Sequence, residues 1–327
     1  MLLLPIKEGC FLPETGAIVL GSIILCVFWI MILYAIIKSA VRNAILEADY
    51  IRENTRIKRE KNKIEKINNL QSSIDLMIKR IKDILGENML SVYLYGSVSL
   101  GDFRLGWSDI DILCLCKSTI TDEQANKLLN LRQVLLAEYP GNSYFRLFEG
   151  GFLTEEAFIN KTTDRVVYWG TSGQKITDSY YFDAFSMAEL KDYGMVSCGE
   201  DRRKLFAYPT REELTEDIKR LYDSVRKNAQ TTQKNISNAG WMLDIARCLY
   251  TLKTGNIIAK TASGEWVIEN KLVPDIKIME RVVKIRKNPN KFKQDKKTLD
   301  WVAALGPHIQ KFADVLESEL NQNKESN

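Results

Sequence analysis

The stretch YLYGSVSLGDFRLGWSDIDILCL, residues 93–115, decides how the chain is read. It begins and ends as apolar strand, with Gly96 and Ser97 at the turn and two aspartates, Asp109 and Asp111, inside the second apolar run. Side chains at i and i+2 share one face of a strand, so both carboxylates point the same way. Two carboxylates a few ångströms apart each raise the other's cost of ionisation. A divalent cation between them removes that cost. Mg²⁺ suits the pair because it prefers hard oxygen ligands and fills the rest of its shell with substrate phosphates.

The turn supplies the other half of such a site. Gly96 lets backbone approach a phosphate closely, and the N–H groups that follow, with the Ser97 hydroxyl, can hold phosphate oxygens. Eleven residues separate Ser97 from Asp109. A phosphate cradle beside a metal-binding pair predicts a nucleoside triphosphate. A further strand, FRLFEGGFL (145–153), carries Glu149 among apolar neighbours. If it lies beside the aspartate strand, Glu149 becomes a third carboxylate, able to join the metal or to take the proton of an acceptor hydroxyl. The predicted reaction is in-line attack at phosphorus. Residues 89–95 and 109–116 read as strands and 121–138 as a helix capped by Thr121 or Asp122.

These residues resemble the nucleotidyltransferase superfamily, whose signature is Gly-Ser followed by Asp-x-Asp, and more closely the aminoglycoside 3''/9-adenylyltransferase family. LYGSVSLGDFRLGWSDIDIL is similar to that family's nucleotide-binding hairpin, and FRLFEGGFL to the strand that bears its catalytic glutamate. YYFDAFSMAEL resembles a segment with an ATP-site aspartate, which implies that role for Asp183. WMLDIARCLYTLKTGNIIAKTASGEWVIENKLVP resembles the helical-domain signature through Arg247, Tyr250, Thr251, Thr254, Gly255, Lys260 and Trp266. The likeness implies that Arg247, Thr251 and Lys260 reach the nucleotide from a second domain. It also implies AMP transfer from ATP, with release of pyrophosphate. Acceptor-side residues depart from the pattern. Ser237 stands where the family has an acidic residue ten positions before the Arg, and VYWGTSG replaces a glycine-glutamate-tryptophan patch.

The family's members lack a membrane span, whereas here AIVLGSIILCVFWIMILYAII, Ala17 to Ile37, runs 21 residues without a charge. As a helix it spans ~31 Å, matching a bilayer core of ~30 Å. Lys38, Arg42, Arg52, Arg56, Lys58 and Arg59 follow it, while Lys7 before it is balanced by Glu8 and Glu14. The excess of positive charge predicts a single-pass protein with its N-terminus outside and its catalytic part in the cytoplasm. RENTRIKREKNKIEK, residues 52–66, reads as a solvated helical stalk or a segment touching anionic lipid. From Ile64 onward, Ile67, Ile74, Met77, Ile81 and Leu85 follow helical steps.

The expected organisation is an outer tail (1–16), a transmembrane helix (17–38), a charged stalk (39–63), an α/β nucleotidyltransferase core with a small mixed sheet (64–208), an α-helical bundle domain (209–320) and a disordered tail (321–327). Helical periodicity marks 211–233, 236–253 and 295–319, and the basic run RKNPNKFKQDKK (286–297) reads as a solvated loop. The formal charge of +4 equals that of residues 38–68 alone, which hold nine Lys or Arg against five Asp or Glu. The near-neutral remainder disfavours a nucleic acid partner. Six cysteines without metal spacing read as core residues, and one histidine, His308, excludes Ser-His-Asp, Cys-His and multi-His zinc chemistry. The same hairpin also serves nucleotide-signal synthases, RNA or protein nucleotidyltransferases and, without turnover, a nucleotide-binding membrane sensor. The leading expectation is transfer of a nucleoside monophosphate to a small hydroxyl-bearing acceptor.

Overall fold

The computed structural model of the protein describes residues 14–66, 69–171 and 173–325, with side chains from 27–56, 69–171 and 173–322. The chain divides into two compact units after Lys66. The first is helix α1, Glu14–Lys66, 53 residues without a break. Within it Val27–Arg56 is long and apolar enough to cross a membrane, and none of its apolar window is buried in the protein. Phe28, Trp29, Ile30 and Leu33 are each more than half exposed. A soluble core helix would bury such a face. The expected outer tail, residues 1–16, lies mostly outside the described residues, as do the side chains of residues 17–26.

The amphipathic helix expected from Ile64 starts later. Asn69 caps α2 (Leu70–Leu85): its side chain accepts from the Ser72 N–H at 2.9 Å, and Ser72 Oγ accepts from the Asn69 N–H. Ile64 therefore belongs to α1, and Ile67 lies outside the described residues. Ile74, Met77, Ile81 and Leu85 are buried, as their spacing predicts.

After α2 the chain forms β1 (Met89–Tyr95), the single turn α3 (Gly96–Ser99), β2 (Ile110–Cys116) and α4 (Asp122–Glu138). Next come β3 (Phe148–Thr154), α5 (Glu155–Asn160), β4 (Val166–Gly170), β5 (Gly173–Thr177), α6 (Ala184–Tyr193) and β6 (Met195–Gly199). The sheet order is β5-β4-β3-β2-β1-β6, mixed, with β2 and β3 the parallel pair. A parallel pair needs a crossover, and α4 provides it. Thr121 caps α4 in a reciprocal box with Gln124. One sheet face packs on α2 and α4 through Ile78, Ile112, Leu128 and Phe152; the other packs Tyr93, Leu113 and Leu153 against Phe158 and Leu190. Strands covered on both faces read as apolar runs, which is why β2 is apolar apart from Asp111 and why Cys114 and Cys116 are wholly buried.

The helical half contains α7 (Arg211–Asn228), α8 (Gly240–Thr254), α9 (Lys260–Glu269), α10 (Ile276–Lys287), α11 (Pro289–Phe292), α12 (Lys296–Val302) and α13 (Gly306–Glu325). Its core gathers Leu243, Leu249, Val282 and Phe312. Three expectations are corrected here. Residues 321–325 are helical, because α13 runs to Glu325 rather than fraying after residue 320. The helix expected over 295–319 is two helices, broken at residues 303–305, and Pro307 enters α13 in its first turn, where a missing N–H is harmless. The basic run 286–297 is solvated over most of its length but is not a loop throughout: Arg286, in the last turn of α10, is 2% exposed, and Pro289 begins α11. His308 is half-buried on α13.

Candidate active site

The hairpin between β1 and β2 is shaped by one contact. Tyr95, the last residue of β1, pairs with Asp111, and Gly96 follows with φ +63°. A Cβ at Gly96 would overlap the Asp111 carboxylate. Glycine is needed there both for the left-handed backbone and for the space. The Ser97 hydroxyl donates to the main-chain oxygen of Asp109 at 3.2 Å, and the Asp102 N–H donates to the Ser97 carbonyl at 2.9 Å, so the loop is tied at both ends.

Asp109 stands immediately before β2 and Asp111 within it. The parallel register sets Glu149 opposite Asp111. Next to it Gly150, at φ 143°, brings β3 so close to the Ile112 carbonyl that no side chain fits. Glu149 Oε1 accepts the Thr171 hydroxyl at 2.5 Å. The sheet register therefore sets the three carboxylates on neighbouring strands, and the two aspartates respond to the crowding. Burial, then the charge of Glu149, raises Asp109 to about 6 against the opposing Lys260 and Arg286. Burial raises Asp111 to about 7, with Glu189, Asp109 and Glu149 adding to the shift. Buried acids pushed up in this way are under-compensated, which is the condition a divalent cation relieves. The donor set fits Mg²⁺ shared between two carboxylates and substrate phosphates. Among the described residues no group of three or more His, Cys, Asp or Glu closes around a point that could hold a metal ion.

Within the second unit, the sheet and the helical half wall a cleft of about 590 Å³. Gly96, Ser97, Asp109 and Asp111 line it from the sheet side; Asp183 and Glu189 reach it from α6, and Arg247 and Lys260 from α8 and α9. Asp183 also caps α6, accepting from the Ser186 N–H at 2.6 Å. Arg247 is paired with Glu189, and Lys260 Nζ lies 2.8 Å from Asp244 Oδ1. Burial opposes the charge of Arg247, but Glu189 and Asp244 outweigh it and raise its pKa. Thr251 is not brought to the cleft. It is buried one turn beyond Arg247, where its hydroxyl donates to the Asn256 carbonyl at 2.9 Å and closes the end of α8. Glu149 is not among the residues that line the cleft; it stands beside Asp111 on the neighbouring strand.

Several wall residues were missed by sequence reasoning: Asp102, Trp107, Glu189, Asp244 and Arg286. Asp244 carried a signal, since it lies three residues before Arg247 on one face of α8. Arg286 was hidden in a run of surface-like cations.

Residues 74–140 match the family model described as nucleotidyltransferase domain, and residues 206–305 match that described as aminoglycoside adenylyltransferase, C-terminal domain. Curated relatives named spectinomycin 9-adenylyltransferase, from Staphylococcus aureus strains Mu50 / ATCC 700699 and N315, are 22% identical over 201 residues, or 58% of this chain and 75% of theirs. A spectinomycin adenyltransferase from Enterococcus faecialis, crystallised with ATP and spectinomycin, shares the fold. Its TM-score is 0.51 at 15% identity, covering 76% of this chain and 100% of that one.

Proposed function

For an enzyme that joins a nucleotidyltransferase domain to a C-terminal domain of the aminoglycoside adenylyltransferase kind, we propose a membrane-anchored adenylyltransferase, moving AMP from ATP to a hydroxyl of a small acceptor. The observation that carries the reading is the under-compensated pair Asp109 and Asp111 in a cleft that also presents Ser97, Arg247 and Lys260. Asp109 and Asp111 would hold Mg²⁺. When bound, the ion supplies positive charge to the phosphate oxygens. Ser97 donates to phosphate, and Arg247 and Lys260 offset the remaining charge of a triphosphate, which brings about four negative charges. Glu149, oriented by Thr171, is read as the base rather than a ligand. The acceptor oxygen bonds to the α-phosphorus, the bond from that phosphorus to the bridging oxygen breaks, pyrophosphate leaves, and the acceptor proton passes to Glu149.

Glu189, Asp217 and Asp244 in the cleft wall are paired with Arg247, Arg220 and Lys260, which leaves Asp183 beside the metal-binding pair as the acid that would favour an acceptor bearing amines as well as hydroxyls. Spectinomycin, with which the solved neighbour was crystallised, is the first compound to test. The exposed apolar stretch of α1 and the basic residues after it support anchoring with the catalytic part in the cytoplasm. The deciding experiment is pyrophosphate release from Mg-ATP across a panel of aminocyclitols and other polyols. A small nucleotide product formed from ATP alone would replace acceptor transfer with synthesis of a nucleotide signal. No pyrophosphate under any condition would remove the reading.

A further inference from the structure

The two walls of the cleft are tied together at one buried point. Asp102 follows the Gly96-Ser97 turn and is 4% exposed. Its carboxylate accepts from two donors on Thr261, the N–H to Oδ2 at 3.1 Å and the hydroxyl to Oδ1 at 2.6 Å. Arg286 adds a third partner, its Nη2 lying 3.2 Å from Asp102 Oδ2 and 3.1 Å from the Asp102 carbonyl. Arg104, more exposed, stands 3.6 Å from Oδ1. The Arg286 guanidinium also sits 5.4 Å from the centre of the Trp107 ring, on the far side of the same loop. Its Nε has no hydrogen-bond partner among the described residues.

What these contacts join matters more than their number. Asp102 donates its own N–H to the Ser97 carbonyl, so the carboxylate is one hydrogen bond from the phosphate-side serine. Thr261 directly follows Lys260, the cation on the opposite wall. The path Ser97–Asp102–Thr261–Lys260 therefore crosses the cleft floor, with Arg286 and Trp107 clamping its middle. A buried carboxylate held by three donor groups is costly to disturb, because any partner removed leaves charge uncompensated.

We propose that Asp102, Thr261 and Arg286 form an interdomain brace that fixes the spacing between Ser97 and Lys260, and so sets the affinity of the cleft for the phosphate chain of a nucleotide. These are positioning residues: they act through the loop and through α9, not on the reacting atoms. The inference rests on the adenylyl-transfer reading, since it assumes that Ser97 and Lys260 both face the triphosphate. A pre-spaced pair holds ATP without first ordering the two domains, whereas a pair free to drift would spend binding energy on alignment.

The test is calorimetric binding of Mg-ATP and of AMP to the full chain in detergent, for the wild type and for Thr261→Val, Arg286→Lys and Arg286→Gln, each first checked for a cooperative thermal transition. The brace predicts that Thr261→Val and Arg286→Lys bind ATP on the order of tenfold more weakly, with AMP affinity little changed. Thr261→Ser, which keeps the hydroxyl, restores ATP affinity. Arg286→Gln leaves Asp102 poorly compensated and can lose its fold; Thr261→Val then decides. Folded variants that bind ATP as the wild type does, or that lose ATP and AMP alike, overturn the brace and leave a merely structural contact. A wild type that binds no ATP removes the proposed function itself, and the brace's role with it.

Discussion

At Gly96 a hydrogen atom stands where any larger group would meet the Asp111 carboxylate. Gly96→Ala must both adopt φ +63° and displace that carboxylate. The backbone alone costs about 1–2 kcal/mol. The expected outcome is a lower denaturation midpoint together with loss of pyrophosphate release; a variant of wild-type turnover would show that the hairpin is not the phosphate side. Asp111 gives a prediction of opposite sign. Its folded-state pKa of about 7 lies above the ordinary aspartate value of 3.8, so the folded protein keeps a proton that the unfolded chain has released. The ligand-free protein therefore loses stability as pH rises from about 4 to about 7, and the loss is complete above that window. Asp111→Asn removes the strain at pH 8 and should raise stability there by on the order of 2 kcal/mol, while gaining nothing at pH 3. Thermal unfolding in chelator at both pH values checks it, and an equal midpoint at pH 8 would contradict the burial argument. In the same spirit Asp109→Asn is expected to abolish pyrophosphate release while the protein stays folded.

Among the elements, β2–α4–β3 carries the site, and one buried arginine holds it. Arg132 on α4 donates to the Phe148 carbonyl at 2.6 Å and to the Gly170 carbonyl at 3.2 Å, bridging β3 and β4 directly behind Glu149. It lies 5.9 Å from the Trp169 ring centre. Arg132→Ala strands both carbonyls and is expected to cost about 2–4 kcal/mol, read in a urea titration; a loss below 1 kcal/mol would show that water replaces the guanidinium. This stretch was largely legible in the sequence. Apolar runs, a Thr121 cap and a Gly-Ser turn are local signals, and i, i+2 geometry puts Asp109 and Asp111 on one face without knowledge of the fold. The pairing of Glu149 with Asp111 needed the parallel register, which composition cannot supply. Arg286 and Thr251 show the other limit. A buried arginine inside a basic run has the same local signature as a solvated one, and only its distant partner Asp102 distinguishes them. Thr251 matched a motif, yet its hydroxyl closes its own helix at Asn256.

For the molecule as a whole, the division after Lys66 makes a direct prediction. A chain beginning at Ile67 should fold, bind Mg-ATP as the full chain does and partition to the soluble fraction. The full chain should sediment with membranes and need detergent for release. Recovery of the full chain in the soluble fraction would remove the anchor. The charge pattern belongs to this scale too, and the sequence displayed it plainly: the basic excess sits in residues 38–68, while the cleft is built from a nearly neutral body that concentrates acids inward. The helical half was legible as helices, and only the family resemblance turned Arg247 and Lys260 toward the site, because which face meets the sheet depends on tertiary packing.

The walls of the cleft run from Gly96 to Arg286, about 190 residues apart along the chain. At a synthesis rate of ~5–20 residues per second, the ribosome needs roughly 10–40 s to deliver the second wall after the first. Helix α1 leaves the exit tunnel before either. If α1 anchors the chain as proposed, the nascent polypeptide reaches a bilayer while still chemically inert, and a product terminated short of α10 arrives there without ever acquiring a working pocket.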